Sequence, residues 1–443
     1  MNHFIFYSLC ALIIYAPIPL GANRIWASSS LTFLIFALFL VHLMYTFTSK
    51  QRFLAPRYSL AVLVPLTITT LWLAFQMIPG LGTFLGRSLP TLSFDPSLTH
   101  IMLLKTIALT QFSWLVFYYV NTKAMLYKFA IAILISGFFQ ALYASWLNLN
   151  VGMATPIFYI PYSKEAVGSF IYKNQLANYL ALCLSIGIGV LISQLSLKEG
   201  GHQVRHKIRD FSMVLLSPKM LIRISLIIMI IALILTRSRM GNSAFFLALA
   251  AVSIFSYFFY NRKPKNLRLL ILSFFILDFI LVGAIFGVEK VKQRLLETSL
   301  ASETRDEVIR DSIPMILDYP VFGTGGGSFY SSFSQYQAQP YSGFYDHAHN
   351  DYIQFSAELG LPITFLLGAM VLYCLFVALK TLVKRKTALY QGVSFGCAAA
   401  IIHMLLHSTV DFSLQSPAIA LLFISILSLT LIASNLKKES NRV

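Results

Sequence analysis

The feature that most constrains the fold of this chain is a series of apolar blocks, each about 20 residues long. A helix of that length crosses the hydrocarbon core. The blocks run continuously, without the alternation of barrel strands, and lipid offers no partner to backbone N–H and C=O groups. The sequence therefore predicts an all-α polytopic membrane protein with about twelve transmembrane helices, at residues 4–20, 27–48, 58–78, 100–120, 127–148, 170–194, 220–235, 243–260, 269–287, 361–379, 391–409 and 416–434.

Composition agrees with this class. The chain is 57% hydrophobic and 12% charged, whereas an average soluble domain is about 25% charged. We find no internal repeat, low-complexity segment or linker. We therefore expect residues 1–443 to form a single membrane domain.

The placement of the basic residues predicts an orientation. If the N-terminus is cytoplasmic, 22 of the 34 Lys and Arg fall in the cytoplasmic segments. This is the positive-inside pattern, and a miscounted helix would scramble it. We therefore expect both termini in the cytoplasm. The net charge of +17 is then a topology signal, and no soluble basic face for nucleic acid is indicated.

One connection, residues 288–360, is long, and a connection of this length usually has a function. We expect it outside the cytoplasm, as a periplasmic loop with short helices. It carries ten acidic residues and five basic ones. Residues 305–317 predict an amphipathic helix that stops at Asp318, with an apolar face of Val308, Ile309, Ser312, Ile313 and Ile316.

The glycine-rich stretch 323–327 follows that helix. The dinucleotide-binding pattern fails because Ser328 stands where the third glycine belongs, and no lysine follows as in a P-loop. We therefore interpret the stretch as a flexible loop or one that another backbone approaches closely.

Polar residues collect in four sets that the topology places at the same outer boundary. The first is a ridge before the tenth helix, in which Asn350, Gln354 and Glu358 are four residues apart and His347 lies near the same stripe. The other sets are 236–239, 172–178, and His403 and His407 with Asp411. Two isolated charges, Lys105 and Asp278, lie inside apolar blocks, where ionisable groups are functional candidates.

The residue types favour a base and cations over a metal. Two pairs of histidines, His347 with His349 and His403 with His407, have a spacing that permits metal binding. The zinc-binding motif HExxH is absent. We therefore predict neither a metal nor a cofactor. A histidine suits a general base at neutral pH. Arg237 and Arg239 end a helix on the side that lacks basic residues, and guanidinium groups there suit a phosphate or pyrophosphate. The alternative for them is snorkelling to lipid head groups.

This combination fits transfer of a sugar from a lipid-linked pyrophosphate. A base takes the proton of an acceptor hydroxyl, which attacks the anomeric carbon. The pyrophosphate then leaves, stabilised by cations, so that no acid is needed on that side.

At these residues the chain resembles the O-antigen ligase and polymerase family of bacterial envelope glycosyltransferases, over roughly residues 165–420. The pair His349-Asn350, followed after nine residues by Gly360, resembles the His-Asn pair and Gly-x-x-Gly element of its ligases. Ile363 takes the place of the second glycine, so this match is partial.

Three further stretches carry the resemblance. The stretch 236–239 resembles the family's arginine motif at an outer helix end. Arg305, with its helix and Pro320-x-x-Gly323-x-Gly325, resembles the segment before the catalytic loop. Residues 407–417 resemble the penultimate connection.

The resemblance implies roles for particular residues. His349 would be the catalytic base, and Arg239 and Arg305 would bind the donor pyrophosphate. We add Arg237, and Lys173, which stands where some relatives carry arginine, to the donor-binding group. The supporting residues are His347, Asn350, Gln354, Glu358, His407 and Asp411.

The resemblance also implies partners and a location. The donor would be a glycan on undecaprenyl pyrophosphate, and the acceptor lipid A-core or a second lipid-linked glycan. The protein would lie in the bacterial inner membrane with a periplasmic active site.

Several functions remain open. We favour a ligase because of the His-Asn spacing. A polymerase of O-antigen or exopolysaccharide, and a protein O-oligosaccharyltransferase, belong to the same family. A lipid-linked glycan transporter is the alternative outside it, although transporters usually show two related halves with broken helices.

Overall fold

A computed structural model describes residues 1–49, 54–150, 154–159, 166–195, 217–259, 305–337 and 345–437. The regular secondary structure of these ranges is helical, with no β-strand among them. The helices are α1 Asn2–Tyr15, α2 Ile25–Thr48, α3 Leu60–Gln76, α4 Leu81–Phe84, α5 Pro96–Tyr119, α6 Lys123–Leu149, α7 Lys173–Leu195, α8 Pro218–Leu235, α9 Arg239–Phe259, α10 Arg305–Asp318, α11 Phe329–Phe333, α12 Asp351–Leu359, α13 Leu361–Lys384, α14 Ala388–His407 and α15 Pro417–Asn435.

The predicted all-α membrane class is confirmed. In the described ranges, nine helices have the length and hydropathy to cross a membrane: α2, α3 with its preceding turn, α5, α6, α7, α9, α13, α14 and α15. The shorter α1 and α8 overlap the predicted blocks 4–20 and 220–235. Block 269–287, with Asp278, lies outside the described residues, and the count of twelve stays a prediction.

Several helices begin where the sequence supplies a cap. Asp95, Thr122 and Ser217 precede α5, α6 and α8, and each side chain accepts a hydrogen bond from a backbone N–H in the first turn. Proline follows directly at the first position of α5 and α8, where its missing N–H costs nothing.

The centre of the bundle is the pair α7 and α14. Every residue of α7 from Gln175 to Ser193 is buried. Gly189 faces Gly392 so closely that a Cβ on either one would overlap the other's carbonyl oxygen, and Gly396 packs in the same way on Ser185. Small residues at four-residue spacing let two membrane helices approach at backbone contact.

Helices α10 to α12 lie together at one end of the bundle, which we call the loop end. The predicted helix over 305–317 is present as α10, but its predicted face is partly wrong. Val308 and Ser312 are buried, whereas Ile313 is 45% exposed. The buried face is completed by Met315, because α10 packs against Phe329, Phe333 and Ala357.

Candidate functional site

The glycine-rich loop wraps around the C-terminal end of α12. Thr324 and Gly325 donate backbone hydrogen bonds to the carbonyls of Ala357 and Glu358, at 2.9 and 3.0 Å. Gly323 has φ +66°, and a Cβ there would overlap the carbonyl of Glu358. The loop is therefore one of close backbone approach, the second of the two interpretations that its sequence allowed.

A buried hydrogen-bonded chain runs along α12. The Gln354 amide donates to Nδ1 of His347 at 2.9 Å and to Oε1 of Glu358 at 3.1 Å. The Glu358 carboxylate also accepts from the backbone N–H groups of Gly327 at 2.9 Å and Phe329 at 3.3 Å. Of the predicted ridge of Asn350, Gln354 and Glu358, the last two thus form a connected network with His347, whereas the hydrogen bonds of Asn350 go elsewhere.

The hydrogen bonds of this chain determine the tautomer of His347, and burial shifts the pKa values of His347 and Glu358. Because an amide NH₂ can only donate, Nδ1 of His347 is an acceptor and the ring proton lies on Nε2. Burial lowers the pKa of His347, which favours this neutral form. Burial raises the pKa of Glu358 to about 7, against the opposing effect of its three N–H donors.

Asn350 and Asp351 tie α12 to the turn between α14 and α15. Asn350 caps α12, accepting from the N–H groups of Tyr352 and Ile353, and donates to the carbonyl of Thr409 at 2.9 Å. The buried Asp351 carboxylate accepts from the Ser408 hydroxyl at 2.9 Å, and its pKa is raised by burial. Asn350 therefore acts here as a structural cap.

Both histidines of the loop meet at the ring of Phe412. His347 stacks on this ring with centroids 4.3 Å apart, and His349 stands perpendicular to it at 4.7 Å. Tyr172, next to Lys173, contacts the same ring at 5.7 Å. His349 has φ +51°, a left-handed conformation that non-glycine residues adopt mainly where the surroundings enforce it.

A cavity of about 510 Å³ opens beneath the ridge, between α2, α3, α5, α13 and α15. His347, Gln354 and Glu358 line it at the loop end. Two cations also line it, Lys105 of α5 and Arg24 at the start of α2. Its deeper walls are apolar. A polar end joined to apolar walls fits a ligand with a charged head and a hydrocarbon chain.

The predicted donor-binding residues lie elsewhere at the loop end. Arg237 and Arg239 are exposed at the corner between α8 and α9, where Ser238 caps α9 and Arg237 has φ +52°. Lys173 is half-buried at the start of α7. Arg305 begins α10, and its side chain lies outside the described part. Of the other three, Arg237, Arg239 and Lys173, none is among the residues that line the cavity.

The fourth polar set is buried and reaches α7. Asn178 donates to Nδ1 of His407 at 3.0 Å, and Asp411 lies 3.9 Å from the same nitrogen. Gly241 of α9 packs on Ala177 of α7. All four polar sets therefore lie at one end of the bundle, as predicted. In the described ranges no three His, Cys, Asp or Glu are grouped as metal ligands, and the expected absence of a metal stays a prediction.

Comparison with known proteins identifies part of the chain. A family model described as O-antigen ligase matches residues 224–368. Residues 224–368 are similar to the O-antigen ligase family. The predicted resemblance to the O-antigen ligase/polymerase family is thereby confirmed. No curated protein matches the chain. At family level, this match implies a glycosyltransferase of ligase or polymerase type in a multi-pass bacterial membrane protein.

The matched stretch 224–368 does not contain the whole candidate site. It includes α9, the ridge and both loop histidines, whereas Lys105, Arg24 and Phe412 lie outside the match. Sequence reasoning singled out Lys105 as a lone intramembrane charge but gave it no role. Arg24 was missed. A cation on the side that the topology leaves poor in cations is the signal that could have found it.

Proposed function

We propose that this protein moves a glycan from undecaprenyl pyrophosphate to an acceptor hydroxyl at the periplasmic face of the inner membrane, as an O-antigen ligase acting on lipid A-core. The observation that carries the proposal is the ridge of His347, Gln354 and Glu358, which faces an amphipathic cavity and lies within the O-antigen ligase match. Both the ridge and the cavity suit a lipid-linked sugar.

In the proposed reaction His349 takes the proton of the acceptor hydroxyl as the new bond to the anomeric carbon forms. The bond from that carbon to the pyrophosphate breaks, and the pyrophosphate leaves with its electron pair. Arg239, Arg305, Arg237 and Lys173 would stabilise its charge. His347, with its proton on Nε2, is suited to donate a hydrogen bond to an oxygen of the bound donor.

The test compares three histidine variants in a deletion strain. His349→Ala should abolish glycan transfer while protein level and membrane insertion stay normal. His347→Ala should reduce transfer by less, roughly the 10²-fold or so of one lost polar contact at a reacting centre. His100→Ala, an exposed histidine of α5, is the matched control and should behave as wild type. Normal glycan in the His349→Ala strain would contradict the base assignment.

Lipopolysaccharide gels of the deletion strain separate the functions. Bare core with accumulated lipid-linked polymer means a ligase. Core bearing one repeat unit means a polymerase. An unchanged ladder with altered capsule or exopolysaccharide means that another polymer is the product. Activity should survive a chelator, and a loss restored by divalent cation would contradict the metal-free scheme.

A further inference from the structure

Lys105 is a cation without a direct partner among the described residues. It lies nine residues beyond Pro96, which places it about 14 Å along the axis of α5 from the loop end. Within the described ranges its Nζ makes no hydrogen bond or salt bridge, although the charges of Glu358 and His347 are near enough to act on it. A charge at this depth is costly unless something pairs with it.

Glu358 is not that partner. Its carboxylate already accepts hydrogen bonds from Gly327, Phe329 and Gln354. Burial also raises its pKa to about 7, so that near neutral pH a large share is uncharged. The remaining acid of the lining is Asp346, and its carboxylate lies 3.9 Å from Nε2 of His347. The cavity therefore favours an anionic group beside Lys105.

The rest of the cavity favours a hydrocarbon chain. Around Lys105 the cavity walls include aliphatic side chains from three membrane helices: Leu31 and Ile35 of α2, Met370 and Val371 of α13, and Leu421 and Ile424 of α15. An anionic head beside Lys105 would place its tail against these walls.

We propose that Lys105 and Arg24 bind the diphosphate head of an isoprenyl-linked glycan, with the first isoprenyl units against the apolar walls. The proposal rests on the proposed function and adds two cations to it. These lie on the cavity side of the histidines, apart from the exposed Arg237 and Arg239.

Binding of farnesyl diphosphate to the full-length protein in phosphatidylcholine nanodiscs tests this, measured by calorimetry. Lys105→Met should weaken binding by about 10- to 100-fold, the value of one charge-assisted contact, and Lys105→Arg should keep most of it. Arg24→Met should lose less, because Arg24 is exposed. Lys128→Met is the matched control, since Lys128 bonds to Tyr7 and does not line the cavity. Lys105→Gln gives the same test if the methionine variant fails to fold.

Three outcomes would overturn the proposal. If Lys105→Met and Lys105→Gln bind farnesyl diphosphate with wild-type affinity, Lys105 does not bind the diphosphate. If phosphatidylglycerol competes for the site as well as farnesyl diphosphate does, the ligand is not an isoprenyl diphosphate. If inorganic pyrophosphate competes equally well, the apolar walls do not contribute to binding. Glycan transfer is assayed separately. Lys105-dependent binding in a protein that transfers no glycan would defeat the proposed function and leave this site standing.

Discussion

The two sides of the bundle differ in how tightly their helices are packed. On one side, α7 and α14 meet at backbone contact, and the whole apolar window of α7 is buried. On the other, 28% of the windows of α2 and α13 is buried, and these helices border a cavity of about 510 Å³. The close α7–α14 contact and the open space beside α2 and α13 are therefore found in different parts of the bundle. The difference predicts that substitutions on the two sides have different costs.

The largest effect should come from the glycine contact. Gly189→Leu should prevent folding, because its side chain would meet the backbone of α14, which cannot rotate away as a side chain would. The cost should exceed the roughly 1–3 kcal/mol of ordinary overpacking. Gly368→Leu in α13 is the control, since nothing lies within 4 Å of a Cβ there. Recovery of monodisperse protein in detergent measures both, and equal recovery would refute the comparison.

Leucine truncations should show the same contrast at smaller magnitude. Leu184→Ala in α7 should cost about 2–5 kcal/mol, as in a close-packed core. Leu421→Ala should cost less than half of that, because this side chain already borders the cavity. Thermal unfolding in one detergent compares them. A larger loss at Leu421 would mean that the cavity wall is as tightly packed as the centre.

The ridge above the cavity should make stability depend on pH. An unfolded glutamate titrates near pH 4.3 or so, and the folded Glu358 has a pKa raised to about 7. The folded state therefore binds more protons in that interval, and stability falls as the pH rises through it to about 7. Glu358→Gln should flatten this part of the curve of melting temperature against pH. Parallel curves for the two proteins would assign the pH dependence to other groups.

The smallest effect on stability should come from the exposed corner. Arg239→Ala should change stability by no more than about 0.5 kcal/mol, since Arg239 is exposed. Use of the lipid pyrophosphate donor should nevertheless weaken if the proposed role is right. Donor titration with purified protein measures this. An unchanged titration would leave Arg239 as a residue that contacts lipid head groups.

The sequence was sufficient to predict the features that depend on the spacing of nearby residues. The long apolar helices and the ridge of Gln354 and Glu358 follow from apolar length and a four-residue repeat. The face of α10 was partly wrong because its packing partner, not its own pattern, decides which side is buried. The nearness of Lys105 to Glu358 joins residues about 250 positions apart. No local pattern carries such a contact, so Lys105 had no role before the structure.

The complete burial of α7 has a consequence for how this protein is made. Its partner α14 begins about 190 residues later in the chain, which corresponds to roughly 10–40 s of synthesis. During that interval α7 can already pack against the earlier α6, but the face that will meet α14 has no α14 to cover it. Its sequence must therefore satisfy two surroundings in succession: a mean hydropathy of 2.0 suits the first, and the small residues Ser185 and Gly189 suit the second.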